Sequence, residues 1–189
     1  FDPRRVGSRR RAVTDRECAG RCCGVGQAPA RFLEADRMNT DEAKSVLEAA
    51  RRYAQEITPE ALSYLEGRGI SEQVAARFEL GVVSDPIPGH EHYAGWLSIP
   101  YITALGMCVG FKFRRLDEGK PKYGSPLGQK SHLYNVEDIL KLSHRIVVCE
   151  GELDTVIVSG VLGLPAVGVP GVAAWKSGDP CTPICGVGR

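Results

Sequence analysis

The stretch that decides the fold is RIVVCEGELDTVIVSGVLGLPAVGVPGVAAW, residues 145–175. It opens with an apolar, β-branched run, Ile146 to Cys149, which reads as a strand covered on both faces. The run stops at Glu150 and Gly151. Val156, Ile157, Val161 and Leu162 then recur at helical spacing, and Gly163 ends the helix. Ala166 to Val169 reads as a second strand, followed by Pro170 and Gly171. Strand, helix and strand in so few residues predict a right-handed parallel βαβ unit.

The charges in this stretch sit where ligands collect in open parallel sheets, just beyond the carboxyl end of a strand. Glu150 falls at that end. Asp154, four residues on, lies on the first helical turn and can lean toward the same spot. Two such carboxylates suit a divalent cation or acid–base work. An equally open alternative is that Glu150, Glu152 and Asp154 are N-terminal helix charges favoured by the macrodipole.

Glu150-Gly151-Glu152-Leu153-Asp154, then Gly163, then Gly168-Val169-Pro170-Gly171, resembles the TOPRIM domain of bacterial and phage DnaG-type DNA primases. Upstream, Tyr64-Leu65, Arg68-Gly69-Ile70-Ser71, Phe78 and Gly81 resemble the segment that opens the primase RNA-polymerase region. Pro121-Lys122-Tyr123, Ser125-Pro126 and Leu133-Tyr134-Asn135 resemble the basic segment before TOPRIM. The likeness runs from about Thr58 to Trp175. It departs from the family where a third strand with Asp-x-Asp is due. After Asp154 the only acid is Asp179, so the chain reads as truncated before that motif.

The 189 residues carry a net charge of +1, which alone predicts no polyanion partner. Charge is uneven, however. Residues 1–37 hold nine arginines against five acids and show no hydrophobic periodicity, so they read as a disordered Arg/Gly-rich extension. The shift in composition at Met38 suggests that this segment precedes the true product. No run is long enough for a transmembrane helix, and no apolar segment follows the N-terminal arginines as in a secretory signal. A cytoplasmic location is expected, that of the host if the gene is a phage's. Of seven cysteines, Cys108 and Cys149 sit in apolar contexts and read as buried small hydrophobes. Cys18, Cys22 and Cys23 have no His and no second close pair beside them, and only Cys181 and Cys185, from the other end of the chain, could complete a closed zinc site. Zinc is therefore not expected.

Between these ends, three helices are expected over residues 38–81. The first starts at a capping box from Asn39 to Glu42 and buries Ala43, Val46, Leu47, Ala50, Ala54 and Ile57. The second starts at Thr58-Pro59 and buries Leu62 and Leu65. The third starts at Ser71 and buries Val74, Ala75 and Phe78. Val82 to Tyr93 reads as an exposed loop, so His90 and His92 are discounted as metal ligands. Trp96–Ile102 and Met107–Arg114 form an antiparallel pair, with Val109, Phe111 and Phe113 on one face and Lys112 and Arg114 on an open one. Arg115, Lys120, Lys122 and Lys130 continue the basic run around Tyr123, which can stack a base. An ordinary solvated face is the plainer reading of that row. A short helix capped by Asn135, Val136 to Leu142, leads into the central strand.

The expected fold is therefore α/β: a helical segment (38–81), a basic antiparallel part (82–143), a partial parallel TOPRIM sheet (144–175) and an irregular tail (176–189). The resemblance implies a DNA primase, or a fragment of one, making RNA primers on single-stranded DNA by Mg²⁺-dependent nucleotidyl transfer. It makes Glu150 a metal-linked base or ligand and Asp154 an auxiliary acid. It gives Lys112, Arg114, Arg115, Lys122, Tyr123 and Lys130 to template or triphosphate. Expected partners are single-stranded DNA, nucleoside triphosphates, and a replicative helicase or second primase polypeptide. Two other classes stay open: a non-catalytic single-stranded nucleic-acid binding module or inactive half of a split primase, and another TOPRIM enzyme that cuts strands. The exposed sheet edge expected after Val169 predicts poor solubility or a partner there.

Overall fold

The computed structural model describes residues 40–141 and 143–169, all within one compact unit. The extension at 1–37, the capping box at Asn39, all cysteines except Cys108 and Cys149, and the tail at 176–189 lie outside the described residues. Three helices come first: α1 (Thr40–Gln55), α2 (Pro59–Glu66) and α3 (Glu72–Arg77). The Thr58 hydroxyl accepts from the Ala61 amide at 3.3 Å and Pro59 occupies the first turn; the Ser71 hydroxyl accepts from the Val74 amide at 3.4 Å. Both are the caps that the sequence predicts.

An antiparallel sheet follows, β1 (Gly81–Val82), β2 (Leu97–Ile102), β3 (Cys108–Arg114) and β4 (Tyr123–Gly124), in that spatial order. The central pair matches the predicted hairpin; the two-residue outer strands were expected as loop. A bulge where Tyr101 pairs with Gly110 and Ile102 with Cys108 shifts the alternation. Val109 consequently packs with the cluster of Leu97, Ile99 and Tyr101, not with Phe111 and Phe113 as alternation predicts.

Both faces of this sheet are covered. On one, Ala49, Ala50 and Tyr53 of α1 meet Val83, Trp96, Cys108, Phe111 and Phe113. The buried face of α1 thus includes Tyr53, which periodicity did not single out. A Cβ on Gly81 would lie 1.9 Å from the Tyr53 carbonyl oxygen, so β1 can run along the end of α1 only as glycine. On the other face, Ala61 and Leu65 of α2, Ala75 of α3 and Phe78 meet Leu97, Ile99, Tyr101 and Tyr134. Leu153 and Val156 close that cluster from the fourth helix. Each fully buried side chain of this size contributes roughly 1.5–3 kcal/mol.

The βαβ unit is present: β5 (Val147–Cys149) pairs in parallel with β6 (Ala166–Gly168) across α4 (Glu152–Val156). The helix continues as a π-turn, Ile157–Val161, in which the Leu162 amide donates to the Ile157 carbonyl at 3.0 Å. Widening the helix there rotates its buried face. Ser159 donates to the buried Asp138 carboxylate at 2.6 Å, Gly160 packs on Val74 and Phe78, and Val161 and Leu162 turn outward.

Two further expectations are corrected. β5 is not covered on both sides: Val147 and Val148 are 38% and 57% exposed. The edge beyond β6 is not open at its end, because Tyr134 exchanges both backbone hydrogen bonds with Gly168 at 2.9 and 3.1 Å. Among the described residues, the unpaired edge of this sheet is that of β5. Val147 donates to Pro165 and Cys149 accepts from Val169, so Val148 between them turns its peptide groups away from β6. Asn135 is not a side-chain cap either. It sits at φ 58° and donates from Nδ2 to the Ala166 carbonyl at 2.9 Å, tying the short 3₁₀ helix Val136–Leu140 to β6.

Candidate nucleic-acid interface

The basic row lies at the rim of a covered sheet face. Ile99 pairs with Lys112 and Leu97 with Arg114, so both cations share the face of the core cluster and emerge at its border. Across the other edge of β3, Arg114 pairs with Tyr123 of β4, which places the two side chains side by side. The guanidinium carbon is 4.9 Å from the Tyr123 ring centroid, and Lys112 Nζ is 6.0 Å from it.

The segment carrying Tyr123 is pinned at several points. Arg115 N–H donates to the Lys122 carbonyl at 3.0 Å. Tyr93 donates its hydroxyl to the Ser125 carbonyl at 2.6 Å and stacks on Phe113 at 4.3 Å. That stacking uses Gly124: a Cβ there would come within 2.5 Å of the Tyr93 ring. The Gln129 amide accepts from Phe111 N–H at 2.7 Å and donates to its carbonyl at 3.0 Å, imitating a strand neighbour.

Two residues of the α2 end, not assigned a site role from the sequence, complete the surface. Tyr64 lies under the Arg114 guanidinium at 4.7 Å and beside that of Arg68 at 6.0 Å. Arg68 reaches the Tyr64 hydroxyl and the Asp154 carboxylate, each at 3.4 Å. The i, i+4 spacing of Tyr64 and Arg68 was the available signal. What it lacked was the approach of α4 from 86 residues away.

On α4, Glu152 is 6% exposed, not a solvated helix charge. It accepts from the Tyr101 hydroxyl at 2.5 Å and faces Lys112 Nζ at 4.0 Å. Burial, then the negative charge of Glu152, pushes the Tyr101 phenol well above its usual range, so Tyr101 stays a donor. Contacts thus run in one chain: Asp154, Arg68, Tyr64, Arg114, Tyr123, Lys112, Glu152.

The predicted site residues therefore divide. Lys112, Arg114 and Tyr123 come together, and Asp154 joins them through Arg68. Glu150 ends β5 exposed, with no partner among the described residues. The Asp154 carboxylate turns back over Gly151, 3.3 Å from where a Cβ there would sit. Arg115 leaves the group: it holds Asp117 at 2.7 and 3.0 Å and lies over Trp96 at 5.0 Å. That pairing keeps the Asp117 carboxyl below its usual range. Lys122 and Lys130 are exposed along the same loop. His90 is buried, correcting the exposed loop expected there; its Nδ1 is 3.2 Å from the Tyr53 hydroxyl, and Phe111 and Phe113 face its ring. No group of three or more His, Cys, Asp or Glu that could hold a metal occurs among the described residues. No described helix is long and apolar enough to cross a membrane.

No family model matches the chain. It is 40% identical over 88 residues to the Gene 57 protein of Mycobacterium phage D29, covering 44% of this chain and 57% of that one. It is 30% identical over 140 residues to DNA primase of Neisseria meningitidis, covering 55% of this chain and 24% of the primase. Among solved structures, it resembles the RNA polymerase domain of Mycobacterium tuberculosis primase DnaG in complex with double-stranded DNA. The TM-score is 0.56 at 22% identity, over 76% of this chain and 56% of the other. The chain thus spans about a quarter to somewhat over half the length of these relatives.

Proposed function

We propose that the chain belongs with the DnaG-type DNA primases, which its likeness to them in sequence and fold supports, and that residues 40–169 form the template- and triphosphate-engaging part of a primase that makes short RNA primers on single-stranded DNA. The observation that carries this reading is the convergence of Lys112, Arg114 and Tyr123 on one rim with the carboxylates of α4. Cations placed beside an aromatic ring neutralise phosphates and stack bases without demanding a sequence. Lys122 and Lys130, exposed on the pinned loop, extend the same track.

Glu150 is the proposed metal-linked carboxylate and Asp154 its auxiliary. Carboxylate oxygens are the right donors for Mg²⁺, but the octahedral shell takes more than two, and Asp154 is held by Arg68. The described residues do not make a Mg²⁺ site by themselves. What they supply is placement: phosphate neutralisation by the cations, orientation of the strand by Tyr123, and a carboxylate at the strand end. The incomplete donor set favours one second reading, a single-stranded nucleic-acid binding module that gains activity when another polypeptide adds carboxylates. A replicative helicase is a further proposed partner.

The test supplies single-stranded DNA, labelled ribonucleotides and Mg²⁺ to the full chain. Labelled oligoribonucleotides that disappear with Glu150→Gln support the primase reading. DNA binding without incorporation selects the binding-module reading. Products that persist unchanged in Glu150→Gln contradict the role given to that carboxylate.

A further inference from the structure

Three acids surround the start of α4, and one of them is placed unlike the others. Glu150 and Asp154 are exposed, whereas Glu152 between them is buried. It lies against Tyr101, whose ring meets the buried Tyr134 ring at 5.4 Å. A carboxylate in such surroundings is costly unless other groups oppose its charge. Two groups do so, and both use the same oxygen. The Tyr101 hydroxyl donates to Glu152 Oε1 at 2.5 Å, and Lys112 Nζ faces that oxygen at 4.0 Å.

The two contacts differ in kind. Tyr101 makes a short hydrogen bond, whereas the Lys112 distance is longer than any hydrogen bond. The ammonium is attracted but not locked, and its side chain keeps 22% of its surface in solvent. Oxygen anions from outside are the same kind of ligand for it as the carboxylate inside. The internal one is already in place, so it competes without the entropic cost of association. The pair of Arg68 and Asp154 is more exposed, at 35% and 58%, and water screens it. The Glu152 side chain is only 7% exposed, so its hold on Lys112 is screened less.

We propose that Glu152 is an internal rival of phosphate: it holds the Lys112 ammonium and weakens its grip on an incoming strand, while Tyr101, by sharing Oε1, limits that hold. Glu152 is a positioning residue, acting through Lys112 and touching no ligand itself. The inference rests on the nucleic-acid reading above. It adds to that reading a buried acid that sets how strongly the strand is held.

The test follows the anisotropy of a labelled single-stranded DNA on the full chain through a salt series, with urea unfolding of each variant beside it. Glu152→Gln keeps the shape and removes the charge. It is expected to tighten binding about threefold at low salt and to steepen the slope of log K against log salt by up to about 0.7, one phosphate contact. Tyr101→Phe gives Oε1 wholly to Lys112 and is expected to weaken binding about twofold. A purely structural role of this contact moves both variants the same way, toward weaker binding. In a Lys112→Ala background neither change is expected to have an effect. Equal or weaker binding by folded Glu152→Gln, shifts of the same sign in the two variants, or a gain that persists without Lys112 would each overturn the inference. If Glu152→Gln does not fold, Tyr101→Phe decides: a loss that vanishes in Lys112→Ala supports it, and unchanged binding overturns it. Wild-type binding without these effects leaves the nucleic-acid reading standing; no binding of the strand by the wild type removes both.

Discussion

Adjacent arginines on one strand end have opposite fates here, and the reason is the alternation of a strand. Arg114 turns to the rim with Tyr64 and Tyr123. Arg115 turns to the other face and is held by Asp117 over Trp96. Arg114→Ala is expected to lower affinity for single-stranded DNA about tenfold, while Arg115→Ala changes it less than about twofold; anisotropy titration measures both. His90 carries a second prediction. Burial depresses its imidazole, against the opposing pull of Glu91, and the Tyr53 hydroxyl sits at Nδ1. The folded value lies below the unfolded value of about 6.5, so its contribution is complete above that pH and falls away as the solution is acidified below it. Urea unfolding at pH 7.5 and 5.5 is expected to show lower stability at 5.5, with a smaller drop in His90→Gln. An equal drop in the variant contradicts the assignment.

The elements differ in how much of them the sequence discloses. The caps at Thr58 and Ser71, the hairpin of β2 and β3 and the parallel βαβ unit are legible because each rests on local residue types and spacing. The bulge before Val109, the π-turn after Val156 and the two-residue strand that presents Tyr123 are not. Each is set by a distant neighbour: Tyr101, Asp138 and Phe113 with Tyr93, in turn. The same holds for the candidate site. Its basic members are readable as alternation, whereas Tyr64, Arg68 and the buried Glu152 acquire their places only when α2 and α4 meet. Gly168 is an element-scale test of that meeting. A Cβ there would lie 2.6 Å from Thr155 Oγ1 and 3.2 Å from Tyr134 Cβ, wedging α4 and the Tyr134 bridge off β6. Gly168→Ala is expected to cost about 1–3 kcal/mol in denaturant unfolding. The edge of β5, unpaired among the described residues, is another: Val148→Lys, at a residue 57% exposed, is expected to reduce self-association in sedimentation.

At the scale of the molecule, one core cluster joins the helical segment, the antiparallel sheet and the βαβ unit through Leu65, Ile99 and Val156. That shared core holds the cations of β3 and the carboxylates of α4 in one frame. The carboxylates alone are too few for tight metal binding. Calorimetric titration of the full chain with Mg²⁺ is therefore expected to give a dissociation constant on the order of millimolar or weaker. Micromolar binding would mean further ligands join Glu150 and Asp154. The central claim, that the rim of Lys112, Arg114 and Tyr123 engages a nucleic-acid strand, is tested most directly by the salt dependence of single-stranded DNA binding. The expected result is a falling log K against log salt whose slope becomes shallower by about 0.7 in Arg114→Ala, as loss of one phosphate contact requires. A slope near zero in the wild type, or one that Arg114→Ala leaves unchanged, would contradict it.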